Sequence, residues 1–175
     1  RAGEAYILWV NGLEPERRTS VGNVYDGGFE LTPDDGGFGW QFKRVAGASI
    51  RQEPQQGATD KLALVVEFHD QRVPFEHVQQ QLALPAGRYT FRGRVRLDNE
   101  RGLQWRLRCA NNAELATTAA FSGSSDWREF GLEMEVPKLD CAIQTLQLRL
   151  DARIRPEQLI GGRIWFDDLQ IARLH

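Results

Sequence analysis

Lysine is scarce in this 175-residue chain. Lys43, Lys61 and Lys138 are the only lysines among 22 basic residues, and arginine supplies the rest. Arginine makes planar, bidentate contacts to carboxylates and hydroxyls and stacks on rings, so the bias bears on partners; it equally fits a genome rich in arginine codons. An excess of one charge is also missing. The balance is 22 basic against 24 acidic residues, net −2, which argues against a dedicated nucleic-acid surface. The longest apolar runs, at 6–10 and 62–66, fall far short of the ~20 residues a membrane helix needs, so no membrane span is expected. Cysteine occurs twice, with no Cys-x-x-Cys and no histidine beside it, which excludes a zinc site of ordinary spacing. No Gly-x-Ser-x-Gly elbow and no Gly-x-x-x-x-Gly-Lys loop is present. The glycine pairs at 27–28 and 36–37 lack a strand–glycine–helix setting and read as turns. No window of about 11 residues or more repeats every 3.6 residues, which argues against a helical bundle. Arg1 stands first, with no positive-then-apolar leader behind it, and predicts a piece of a longer protein.

What is present is alternation. Apolar and polar residues trade places over 62–68, 78–84, 89–97, 103–109, 130–136, 145–150 and 163–172, with a weaker stretch at 49–52 and a short helical turn at 156–159. Turn-forming residues close several of these, at Pro85, at 98–100 (Asp-Asn-Glu), at 110–112 (Ala-Asn-Asn) and at Pro137. One wet and one dry face per strand predicts an all-β fold, an antiparallel β-sandwich of jelly-roll type. Residues 1–20 differ, with AYILWV at 5–10 and EPERR at 14–18. They are expected to be an edge strand or the linker from an upstream domain, leaving 21–175 as the sandwich.

Cys109 ends one strand, and Cys141 follows a turn before another. Strand ends come within bridging reach, and two unpaired buried thiols fit the spacing equally well. Two histidines have acidic neighbours, His69 with Asp70 and His77 with Glu76. Either is a formal acid/base pair, although such adjacency is common on surfaces. The adjacent acids at 34 and 35 and at 167 and 168 face opposite sides of an extended chain, so neither makes a glycosidase dyad of converging carboxyls.

Three stretches carry a resemblance. NVYDGGFE at 23–30 is followed by Gly39 and Trp40; Gln79 and Gln81 precede LALPAG at 82–87 and YTF at 89–91; GRIWFDDLQI fills 162–171, with Asp126, Trp127, Val136 and Pro137 between. In this order they resemble the jelly-roll carbohydrate-binding modules of the family 4, 9 and 22 type over roughly residues 22–173. The segments GLQWRLRC at 102–109 and CAIQTL at 141–146 are similar to bacterial domains that follow helical repeats in cell-envelope or exopolysaccharide-related proteins. That likeness implies a disulfide between Cys109 and Cys141, residues 1–20 as the linker, and an extracytoplasmic location. The resemblance to the carbohydrate-binding modules also implies a structural Ca²⁺ held by Glu30 of the Gly-Phe-Glu motif and Asp167 of the final strand, with Asp168 a lesser candidate; calcium takes six to eight oxygens, and two carboxylates plus carbonyls supply most of them.

Parity then sorts the side chains. His77, Gln79 and Gln81 point outward, as do Arg92, Arg94, Arg96, Gln104, Arg106, Arg108, Glu133, Glu135, Gln147 and Arg149. Six arginines against two glutamates hint at an acidic glycan. The expected ligand residues are His77, Gln79, Arg94 and Arg106, with Trp40 or Trp127 as a stacking wall, because these two tryptophans lie near turns. Trp105 and Trp165, inside strands, are assigned to the core. The expected function is a non-catalytic module contacting a bacterial polysaccharide; the alternative is a structural or protein-interaction sandwich with no sugar site.

Overall fold

The computed structural model describes residues 1–34, 36–55 and 61–175, so the acid at 35 lies outside the described residues. Helices α1 (Ala2–Gly12) and α2 (Pro15–Arg18) come first. Strands follow: β1 (Gln41–Phe42), β2 (Ala48–Pro54), β3 (Leu62–Arg72), β4 (Val78–Leu82), β5 (Gly87–Cys109), β6 (Glu114–Thr117), β7 (Phe121–Val136), β8 (Gln144–Leu150) and β9 (Leu159–Arg173). A 3-10 turn, Arg155–Gln158, occupies the expected short helical stretch.

Every expected strand is present, but two of them are one. The sequence predicts a turn at 98–100; β5 instead runs 23 residues through it. Its first half, 89–99, pairs with β9 on one side and β7 on the other. Its second half, 103–109, pairs with β8 and β6. The register against β7 slips between Asn99 and Leu103, and Asn99 Nδ2 donates to the carbonyls of Arg101 and Phe121 there. Asn99 therefore ties a bend to the neighbouring strand through the Phe121 carbonyl, and a sequence cannot distinguish such a bend from a reversal. At that bend β5 passes from one layer to the other. One layer is β7–β5–β9–β3–β2; the other is β6–β5–β8–β4–β1.

Between the layers lies an aromatic core. Trp105, Phe91 and Phe166 are fully buried, and Trp105 meets Phe166 edge-on at 5.2 Å and Trp40 at 5.8 Å. Two glutamines sit on the dry side and act as backbone substitutes. Gln80 accepts from Tyr25 N–H and donates to Tyr25 C=O, both at 2.8 Å. Gln144 accepts from Leu84 N–H at 2.8 Å and donates to the carbonyls of Leu84 and Cys141. Cys109 and Cys141 form a disulfide closing a 32-residue separation.

Residues 2–12 are helix, which corrects the edge-strand expectation. The segment is apolar almost all round, so it shows no period, and docking rather than amphipathicity fixes it. Trp9 meets Tyr25 edge-on at 5.0 Å and Phe38 at 5.7 Å, and Tyr6 Oη donates to Gly22 C=O at 3.1 Å. Arg18 donates to the carbonyls of Leu13 and Asn11, which satisfies the end of α1.

Candidate functional site: two outer faces

The register places the expected ligand residues on opposite sides of the molecule. On the β6–β5–β8–β4–β1 layer, one row runs Thr117, Arg106, Gln147, Gln79, Gln41 across five strands. A flanking row holds Glu114, Arg108, Thr145 and Gln81. His77, Arg149 and Gln104 share the same outward parity. Gln79 Nε2 donates to Gln41 Oε1 at 3.1 Å, and Gln147 Nε2 donates to the Glu76 carbonyl at 3.1 Å. That tie buries Gln147, which was expected outside, to 5% exposure. Arg106 Nε lies 3.4 Å from Glu114 Oε1, yet it is shielded from solvent with no hydrogen-bond acceptor among the described residues. With Lys43 at the edge, four fixed cations on this face (Lys43, Arg106, Arg108 and Arg149) stand against Glu114 and, beside His77 and Arg149, Glu76. Among the described residues, no Phe, Tyr or Trp shares the outward parity of β1, β4, β8 and this half of β5.

His77 is half-buried and accepts the Glu76 backbone N–H at Nδ1, 3.0 Å away. Burial holds its imidazole below the usual histidine range, with Lys43 adding to the effect and Glu76 opposing it. The Glu76 backbone amide, not its carboxylate, thus occupies this ring nitrogen.

The opposite face, on β7–β5–β9–β3–β2, carries the other expected residues. Arg94 lies over Trp127 at 5.3 Å and 3.6 Å from Asp168 Oδ2. Trp127 is half-buried, and its indole N–H is buried with no partner among the described residues. Trp40 is on neither face: at 2% exposure it stacks on Phe29 at 4.9 Å and donates to the Asp26 carbonyl, so it cannot wall a sugar site. Trp165 corrects the reverse error. Its neighbours Ile164 and Phe166 fill the core, so Trp165 projects to the solvent side, where Arg96 covers it at 4.8 Å. Also on this face, Ser49 Oγ lies 2.8 Å from His69 Nε2. The carboxylate that would orient this imidazole, Glu67, is 4.0 Å from Nδ1 and is held instead by Arg163 at 2.5 Å and Arg51 at 3.4 Å. The Asp70 neighbour sits at a positive-φ bulge in β3.

Glu30 and Asp167 approach each other across Gly28. A methyl group there would lie 3.9 Å from Asp167 Oδ1 and 4.0 Å from Glu30 Oε1. Asp167 is 1% exposed, and burial, reinforced by the charges of Asp168 and Glu30, pushes its pKa up to about 7 despite a hydrogen bond from Asp168 N–H. Among the described residues no third His, Cys, Asp or Glu joins them. The donor set therefore does not suit a nitrogen- or thiolate-seeking metal; it fits a hard cation that completes its shell with carbonyls and water.

No protein-family profile matches the chain, and no curated protein matches it by sequence. Solved structures do match in fold. A CBM4 module superposes with TM-score 0.62 at 15% identity, covering 86% of this chain and 99% of its own. TmCBM61, solved with β-1,4-galactotriose, gives TM-score 0.55 at 18% identity over 89% of this chain and all of its own. The CBM22-1 xylan-binding domain of Paenibacillus barcinonensis Xyn10C gives 0.54 at 14% identity over 84% and 91%. The fold is therefore the β-sandwich of carbohydrate-binding modules.

Proposed function

We propose that the chain is a non-catalytic module that holds an acidic polysaccharide on the β6–β5–β8–β4–β1 face. The observation that carries this reading is the five-strand row from Thr117 to Gln41, with the Arg106 guanidinium beside the central Gln147 and only loosely held by Glu114 at 3.4 Å. Glutamine amides offer donors and acceptors to hydroxyls, and guanidinium groups pair bidentately with uronate carboxylates. The excess of cations on this face supports an anionic ligand, and the disulfide supports an oxidising, extracytoplasmic setting. Residues 1–20 belong to this reading as the link to an upstream domain of the same chain.

Calorimetry with oligogalacturonates tests it. The expected result is micromolar-to-millimolar binding that weakens about tenfold in Arg106→Ala, the size of one charge-assisted hydrogen bond, and that falls as salt rises. Flat heats with the wild type overturn it and leave this face to a structural or protein-interaction role.

Glu30 and Asp167 are proposed to hold a structural Ca²⁺. When bound, the ion would neutralise two crowded carboxylates and pin the 23–30 segment to β9. Elemental analysis is expected to find calcium in the gently purified protein, and chelation to lower the melting temperature of wild type but not of Glu30→Gln. No bound calcium together with no chelator effect would remove the site.

A further inference from the structure

The β7–β5–β9–β3–β2 face carries an aromatic floor that the opposite face lacks. Register aligns Arg51, Val65, Trp165 and Arg96 in one row across four strands. Val65 and the nearby Ala63 are fully buried, and Trp165 is 8% exposed, although all three point away from the core. Apolar side chains on the wet side of a sheet need a cover, and here Arg96 lies over the indole. Beside it opens a cavity of about 450 Å³ lined by Glu53, Gln55, Arg96, Asp98, Arg163 and Trp165.

We infer that this cavity is a second binding site, distinct from the cationic face, and that its ligand is a neutral oligosaccharide. Two carboxylates and two guanidinium groups on the rim cancel, so nothing there selects a charged ligand. Together they present acceptors and donors around an apolar floor, which is what a pyranose with one C–H face and a ring of hydroxyls requires. Glu53 is paired with Arg51 and Arg163 with Glu67, both at 2.5 Å, so these side chains are already held in place. Asp98, by contrast, is exposed and has no ion-pair partner among the described residues. Its carboxylate is an acceptor ready for sugar hydroxyls. A sugar stacking on Trp165 displaces Arg96, exchanging one ring contact for another of similar strength. On β5, Arg94 stands two residues from Arg96 on the same face, about 7 Å along the strand, and covers Trp127. A second covered ring beside the first suits a chain of sugars better than a single one.

The inference does not rest on the acidic-glycan reading, because the two faces share no side chain. Titration of the wild-type protein with neutral xylo-, gluco- and β-1,4-galacto-oligosaccharides, followed by calorimetry and tryptophan emission, tests it. Binding is expected, with a change in emission as Arg96 leaves the indole. Asp98→Ala, at an exposed position outside the core, should weaken binding about tenfold; Trp165→Phe should weaken it while keeping the fold. Arg106→Ala on the other face should leave neutral-sugar binding unchanged and reduce only uronate binding. No binding of any neutral oligosaccharide, or binding indifferent to Asp98→Ala and Trp165→Phe, overturns the site, as does a concentration-dependent dimer that protects Trp165.

Discussion

Gln80 lies between Val78 and Leu82 on the dry side of β4, and its amide there completes the backbone of Tyr25, 55 residues away. Each such bond contributes roughly 0.5–1.5 kcal/mol, and leaving the Tyr25 amide unpaired would cost more. The neighbours Gln79 and Gln81 face water, and nothing in the run of three glutamines marks the middle one as structural except its parity. His77, one residue before β4, is legible only as a histidine; its setting makes a pH prediction possible. The fold favours the neutral ring, because burial disfavours charge and because Nδ1 must stay unprotonated to accept the Glu76 N–H. The folded pKa lies below the usual histidine range, so the unfolded chain binds the extra proton first. The contribution of His77 is therefore present above the usual histidine range and lost as pH falls through and below it. Thermal melts from about pH 8 to about pH 5 should show wild type losing more stability than His77→Asn. Parallel curves would show that this ring does not titrate differently in the folded state. Trp40 marks the limit of single-residue reading. It follows a glycine-rich turn, as exposed tryptophans do, and only the positions of Phe29 and Trp105 place it inside.

Strands were the most legible elements, because a half-buried strand writes its period in the side chains. Their ends were not: β3 and β7 run on past the alternating stretches, and β5 carries straight through an Asp-Asn-Glu triplet because Asn99 ties the bend to β7. Helix α1 was invisible for the opposite reason. With apolar residues all round, Ile7 and Leu8 still exposed, it has no face to read. What holds it is a groove made elsewhere. Gly37 adopts φ +57° and lies directly against the Trp9 indole, so a Cβ there meets the ring as well as left-handed backbone strain. Gly37→Ala should undock α1 while sparing the sandwich. Limited proteolysis is expected to cleave within residues 1–20 faster, and tryptophan emission to shift red, with β-type circular dichroism unchanged. Unaltered proteolysis would show that α1 is held by contacts other than this one.

At the scale of the whole molecule, parity said which side chains leave each strand but not which strands share a layer. That information is in the register, and β5 divides it: its two halves send Arg94 and Arg106 to opposite faces although both obey one alternation. The chain is nearly neutral, yet the layers separate its chemistry, an arginine–glutamine surface on one side and covered tryptophans on the other. A covalent tie lies near one end, where the disulfide joins the end of β5 to the connection between β7 and β8. Closing a loop of 32 residues removes unfolded-state entropy equivalent to about 3–4 kcal/mol. For a chain of this size that corresponds to a melting temperature lower by about 10 °C when the bridge is lost. Cys109 and Cys141 are nearly buried, so alanines at both positions remove the link without leaving polar atoms in the interior. The double variant should melt lower by that amount and keep the ligand binding of both faces, since none of the side chains assigned to them touches the bridge. A melting temperature equal to wild type would mean that β5, β7 and β8 already restrain the unfolded chain as much as the bond does.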